Sequence, residues 1–115
     1  MASSIDKLIK ELRNPDASVR KQAVKELGGI DHPRAMDGLI SALRDQDWFV
    51  RLEAVKMLAM RREQRAAEPL KDLYFEATNR NLDLSIPLGF HEFVLAALKN
   101  LGWEVTYGGF SRKKK

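Results

Sequence analysis

The sequence predicts an all-α protein assembled as a stack of three helix pairs, and two observations carry that prediction. The first is an internal repeat: the 115-residue chain aligns with itself, without a gap, at an offset of 31 residues over two-thirds of its length. Leu8, Leu39 and Leu70 fall in one column, and Asp6, Asp37 and Glu68 in another. Ile9 matches Ile40, Leu12 matches Leu43, Arg13 matches Arg44, and Asp16 matches Asp47. Val19-Arg20 matches Val50-Arg51, Ala23-Val24 matches Ala54-Val55, and Leu27 matches Leu58. The second observation is helical periodicity inside each unit, broken by Gly, Pro and Asx residues. A period of this size marks a repeat array, in which each unit buries its apolar face only against its neighbours.

The elements follow in order. Ile5, Leu8, Ile9 and Leu12 form one apolar stripe at helical spacing, the signature of a short amphipathic helix. Asn14-Pro15 reads as the start of a longer helix, with Asn as cap and Pro in the first turn, where its missing N–H costs nothing. Val19, Ala23, Val24 and Leu27 continue it, and Gly28-Gly29 reads as a left-handed stop. Residues 35–43 form the second short helix, and Asp45 or Asp47 caps a second long helix running to Leu58. Residues 66–75 form the third short helix, with Pro69 tolerated in its first turn. Phe93, Ala97, Leu98 and Leu101 then match Val50, Ala54, Val55 and Leu58 at an offset of 43 rather than 31, so 12 residues are inserted within 77–90. The third long helix is expected to begin near 85–87. Val105-Thr106-Tyr107 and Gly108-Gly109 argue against helix in the remainder.

The columns 8/39/70, 19/50/93, 23/54/97 and 27/58/101 are the expected core, with the alanine column allowing close helix approach. Asp16 and Asp47 lie at helix starts, where a carboxylate meets the positive end of the dipole. Arg20 and Arg51, four residues later, are within reach of those carboxylates or of the next repeat's. The third copy has Phe90 and Val94 at these places, so such a polar ladder should end there. Trp48 and Phe49 replace Ala17 and Ser18, and Trp48 is expected to pack over the preceding repeat, with an exposed interface anchor as the alternative.

Val19-Arg20, Ala23-Val24 and Leu27-Gly28, preceded by Asp16 and followed by the short helix ending in Leu39 and Leu43, resemble a HEAT-like repeat. The short period and the segment from Asp45 to Arg51 are most similar to the phycobilisome-lyase type of that family. The resemblance covers about residues 4–103. It implies a right-handed α-α superhelix, or solenoid, with repeats at about 4–34, 35–65 and 66–103, a non-helical cap at 103–111 and a basic tail at 112–115. It also implies a concave face, lined by the short helices, that binds another protein. Some members of such families bind nucleic acid, and some act on bilin chromophores.

Charge and composition narrow the functional classes. The chain has 20 basic and 16 acidic residues, net +4, but 16 of each sign lie within residues 1–111. The whole excess sits on Arg112, Lys113, Lys114 and Lys115. A phosphate-binding tail is one reading of these four, and a solubilising terminus is the other. There are no cysteines, which excludes disulfides, zinc-thiolate sites and thiol nucleophiles. No apolar run reaches the ~20 residues that span a bilayer. The start MASSIDK has no signal-like core, so a cytoplasmic protein without membrane attachment is expected.

No serine lies in a nucleophile elbow, and no glycine-rich phosphate loop occurs. His91-Glu92 resembles the His-Glu pairs of the HEAT-like deoxyhypusine hydroxylases. The register fails, however: His91 lies six residues before Ala97, where the family's His lies three before the small residue, and His32 is the only other histidine. No metal, cofactor or catalytic site is therefore assigned. The expected function is a non-enzymatic adaptor that binds a protein on the short-helix face, through Asp37, Ser41, Arg44, Lys71 and Asp72, with Arg80 and Trp48 as further candidates. The principal alternative is nucleic-acid or anionic-surface binding through residues 112–115, and a weaker one is an accessory subunit for tetrapyrroles. The expected oligomeric state is a monomer or a homodimer through the aromatic-rich C-terminal end.

Overall fold

The computed structural model describes residues 4–79, 83–106 and 109–112. Among them are helices α1 (Ser4–Glu11), α2 (Ala17–Leu27), α3 (Pro33–Ala42), α4 (Trp48–Arg61), α5 (Ala67–Asn79) and α6 (Phe90–Asn100). A 3-10 turn (Gln64–Ala66) precedes α5, and strands β1 (Trp103–Thr106) and β2 (Gly109–Arg112) close the chain as an antiparallel hairpin. Helices α2, α4 and α6 pack side by side in one layer, and α1, α3 and α5 each pack against their long partners. The core runs continuously through the stack, because one helix pair cannot cover its own apolar stripe.

Three of the four expected core columns are buried throughout: Leu8, Leu39 and Leu70; Ala23, Ala54 and Ala97; and Leu27, Leu58 and Leu101. The fourth is not. Val50 is buried, Val19 is partly covered, and Phe93 is 45% exposed, lying under Lys56 Nζ at 5.1 Å from its ring centroid. Phe90 and Val94 take the interior of α6 instead, so the aromatic that fills the third repeat sits three residues earlier than the column suggested.

The helix starts use a tandem Asx device. Asn14 Oδ1 accepts from the Asp16 N–H at 2.8 Å, and Asp16 Oδ1 then accepts from Ser18 N–H at 2.8 Å. One repeat later, Asp45 Oδ1 accepts from Asp47 N–H, and Asp47 Oδ1 caps Phe49 and Val50. Asp16, not Asn14, is thus the cap of α2, and Pro15 stands before the helix rather than in it. In α4 the cap is Asp47. Helix α3 is capped by His32, whose Nδ1 accepts from Arg34 N–H at 3.0 Å, with Pro33 as the first helical residue.

Two stops differ from expectation. Gly28 is right-handed (φ −61°, ψ −21°), and neither it nor Gly29 has positive φ. Gly28 is needed for space: a Cβ there would lie 2.3 Å from Met57 Sδ and 2.9 Å from Met57 Cβ on α4. Helix α4 runs on to Arg61 and ends with Arg62 in the left-handed region (φ 52°), a conformation that costs a non-glycine residue. Helix α6 begins at Phe90, not near 85–87. Asp83 Oδ1 accepts from both the Ser85 N–H and hydroxyl, closing a turn that resembles a helix cap in sequence. Gly89, with φ 77°, then redirects the chain into the helix.

The non-helical C-terminal segment is the hairpin, with Trp103 opposite Arg112 and Thr106 opposite Gly109. Phe110 packs edge-on against Tyr74 and Phe75 of α5, with centroids 5.4 and 5.5 Å apart. Among the described residues, no helix is long and apolar enough to cross a membrane.

Candidate protein-docking face

The polar residues of the repeat sort into two groups, one built into the stack and one left on its surface. The built-in group is a ladder with the period of the repeat. The Arg20 guanidinium, on a residue only 5% exposed, donates to both Asp45 carboxylate oxygens (2.9 and 3.2 Å) and to the carbonyls of Asn14 and Pro15 (2.8 and 3.1 Å). Arg51 repeats the arrangement one rung on, donating to the Asp45 carbonyl and, at 3.1 Å, to Glu76 Oε2. In both rungs arginine and carboxylate are 25 residues apart. Each arginine thus bonds to the next repeat's carboxylate, and Asp16 and Asp47 are occupied as caps. The ladder stops at Glu76, since Phe90 and Val94 are apolar and buried.

Trp48 belongs to this interior. It is 7% exposed, meets Phe90 of the following repeat edge-on at 5.1 Å, and carries the Arg51 guanidinium 4.3 Å from its centroid. It is therefore no surface anchor, and its ring contact is with the following repeat. The reason is the insertion, which brings Phe90 to the place where a third Asp cap would have stood.

The remaining predicted residues lie on or beside α3 and α5, but not all are free to act. Asp37 is exposed and ion-paired with Arg65 at 2.7 Å; this hydrogen bond, and then that of Glu63, pushes the Arg65 guanidinium further above its ordinary pKa. Lys71 pairs with Glu68 at 3.1 Å and lies 3.2 Å from the Trp103 ring centroid, drawn toward the hairpin. Ser41 is exposed, its hydroxyl donating to the Gly38 carbonyl at 2.9 Å. Arg44 and Asp72 are exposed, and neither forms an ion pair among the described residues. Arg80, Lys113, Lys114 and Lys115 lie outside the described residues. Arg112 is not part of a free tail: it ends β2, donates to the Leu101 carbonyl and to Gln64 at 3.3 Å each, and stacks 5.2 Å from the Trp103 centroid.

Two clefts open beside Arg44. One, of about 210 Å³, lies between α3 and α5 and is lined by Leu43, Arg44, Arg51, Pro69, Asp72, Leu73 and Glu76. The other, of about 410 Å³, lies at the junction of the first two repeats, bounded by the chain from Leu12 to Pro15, by Arg20, and by residues 44–46. Arg13, which sequence reasoning placed in a repeat column but not in a site, stands on its rim. The signal for it was present in the Arg13/Arg44 match, while Arg20 and Arg51, the column spaced four residues from an Asp, are the arginines that the stack consumes.

Elsewhere, His91 Nε2 lies 3.4 Å from Glu92 Oε1, and among the described residues no group of three or more His, Asp or Glu side chains is placed to hold a metal ion. Lys25, Lys56 and Lys99 are exposed on the α2, α4 and α6 layer.

No curated protein matches the chain. A family model of HEAT repeats matches residues 5–82, which are the first two helix pairs, α5 and the start of the inserted segment. With that match spanning most of the chain, and six described helices stacked in pairs, the first two pairs in a 31-residue register, the protein belongs to the HEAT-repeat family.

Proposed function

We propose that the chain is a non-enzymatic protein-binding module whose partner docks on the α1, α3 and α5 layer, across the cleft between α3 and α5. HEAT repeats are generally protein-interaction scaffolds, which supports the class of function. The observation that carries the location is the pair Arg44 and Asp72. These are opposite charges lining one 210 Å³ cleft, each without an ion-pair partner among the described residues, Arg44 just past α3 and Asp72 on α5, helices held by a continuous core. Charges held apart on a rigid frame select and orient a complementary surface, and they add to specificity and association rate more than to raw affinity. Ser41 and the leucines at the cleft floor extend the same surface, and the repeat ladder beneath fixes the spacing of the helices that present it.

The test is affinity capture from the source cell after nuclease treatment, comparing the wild type with two variants. Ser41→Arg/Asp72→Arg places bulk and the wrong charge on the proposed face. Lys25→Glu/Lys56→Glu/Lys99→Glu alters the opposite layer. A protein captured by the wild type and by the lysine variant, but not by the Ser41/Asp72 variant, is the expected result. Capture that survives the Ser41/Asp72 change, or that disappears with nuclease, overturns the reading.

A further inference from the structure

We propose that the 410 Å³ cleft at the junction of the first two repeats receives an acidic peptide segment of the partner protein, gripped by Arg13 and Arg44. This rests on the protein-binding reading above and specifies the chemistry of what is bound. The floor of the cleft is electrically balanced: Arg20 pairs with Asp45, and two further Arg20 donors go to the Asn14 and Pro15 carbonyls. The rim is not. Arg13 and Arg44 are both exposed, and neither has an ion-pair partner among the described residues. Asn14 and Gln46 complete the rim with neutral amides, so the lining carries two cations in excess.

The two arginines occupy equivalent places, each just beyond the end of a short helix, 31 residues apart. Those helices are neighbours: a Cβ on Gly38 of α3 would lie 3.4 Å from Leu12 Cδ1 and 3.7 Å from Ile9 Cγ1 of α1. Equivalent residues on adjacent packed helices are about 10 Å apart. A peptide in the polyproline II conformation advances about 3.1 Å per residue with three residues per turn, so carboxylates three residues apart share one side, about 9 Å apart, and meet both guanidiniums. Each guanidinium can take a carboxylate through two parallel N–H donors. Nucleic acid fits less well. Its backbone needs a continuous basic track, whereas the adjoining cleft that shares Arg44 carries Asp72 and Glu76.

The probe is a fluorescein-labelled peptide with glutamate at every third position among Gly and Ser, titrated by fluorescence anisotropy with the full-length chain. Arg13→Glu/Arg44→Glu is expected to weaken binding at least about tenfold, and Arg13→Gln/Arg44→Gln by less. Lys25→Glu/Lys56→Glu, which changes the net charge equally, and Lys113→Ala/Lys114→Ala/Lys115→Ala are expected to leave binding within about twofold. Thermal unfolding confirms that each variant is folded. Equal loss in the lysine variants, no binding by the wild type, or preference for a single-stranded oligonucleotide of the same charge each overturns the proposal. Failure here while the Ser41/Asp72 variant still loses its captured protein removes the acidic segment and leaves the docking face standing. The converse result moves the docking face away from the α3–α5 cleft.

Discussion

Replacing Gly28 by alanine tests whether close approach, rather than backbone conformation, determines that residue. Gly28 sits at the end of α2 with helical φ and ψ, so alanine there should gain helix propensity, about 1 kcal/mol over glycine. Against this gain stands Met57. The new Cβ would lie 2.3 Å from its Sδ, 2.6 Å from its Cγ and 2.9 Å from its Cβ, so the clash reaches the root of the side chain and rotamer change alone does not relieve it. Helices α2 and α4 are also tied at this point, because the Arg61 side chain of α4 donates through Nε to the Gly28 carbonyl at 2.7 Å. Overpacking of this kind costs about 1–3 kcal/mol. The two effects leave Gly28→Ala destabilising by up to about 2 kcal/mol, or up to about 8 °C in Tm.

The decisive measurement is a double-mutant cycle in urea, followed by circular dichroism. In a Met57→Ala background two of the three clashing atoms are gone, and the cost of Gly28→Ala should fall by at least about 1 kcal/mol. A left-handed stop would behave differently, costing alanine about the same in either background. Equal costs in the two backgrounds, or a stabilising Gly28→Ala in the wild type, would refute the close-approach account.

Other outcomes follow from the same packing. Arg20→Met strands Asp45 in a buried site and removes donors from two carbonyls, so it should cost about 3–5 kcal/mol by denaturant unfolding, with Arg51→Met costing less because Glu76 is better exposed. Phe90→Ala should cost about 3–5 kcal/mol, against under 1 kcal/mol for Phe93→Ala, although the repeat alignment favours Phe93 as the core residue. Asp37→Ala removes an exposed pair with Arg65 and should leave the denaturant midpoint nearly unchanged, with any difference shrinking further in salt.

Most of the architecture was legible because the repeat constrains every copy at once. A leucine at positions 8, 39 and 70 has one structural explanation, and the structure buries all three. Legibility failed where a local signal had two physical causes. Gly28-Gly29 after a helix has the composition of a left-handed cap, but it is also what a close helix crossing requires, and only the position of Met57 decides between them. Asp83 and Ser85 have the composition of a helix cap, yet they close a turn upstream of Gly89. The third repeat misled at Phe93 because the insertion changed the register of burial, placing Phe90 where Trp48 could pack against it.

The docking face was legible at a coarser level, for a reason rooted in charge. Four arginines, at 13, 20, 44 and 51, form two columns at the same offset, and in the sequence only the spacing of 20 and 51 from Asp16 and Asp47 marks one column as structural. The fold divides them by the direction of the next repeat. Those one turn inside a long helix reach the carboxylates at 45 and 76 and become part of the frame, while those just past a short helix have no ion-pair partner among the described residues and remain at the clefts. Asp37 and Lys71 are removed from play in the same way, by Arg65 and by Glu68 with Trp103. The near-balance of charge over residues 1–111 therefore does not describe a featureless surface. It conceals an interior ladder in which charges cancel and a face where Arg13, Arg44 and Asp72 do not. On the proposed docking, recognition is set by the charges the stacking leaves over, so Arg44→Phe, which installs the residue found 31 positions on at Phe75, should alter recognition while leaving the stack intact.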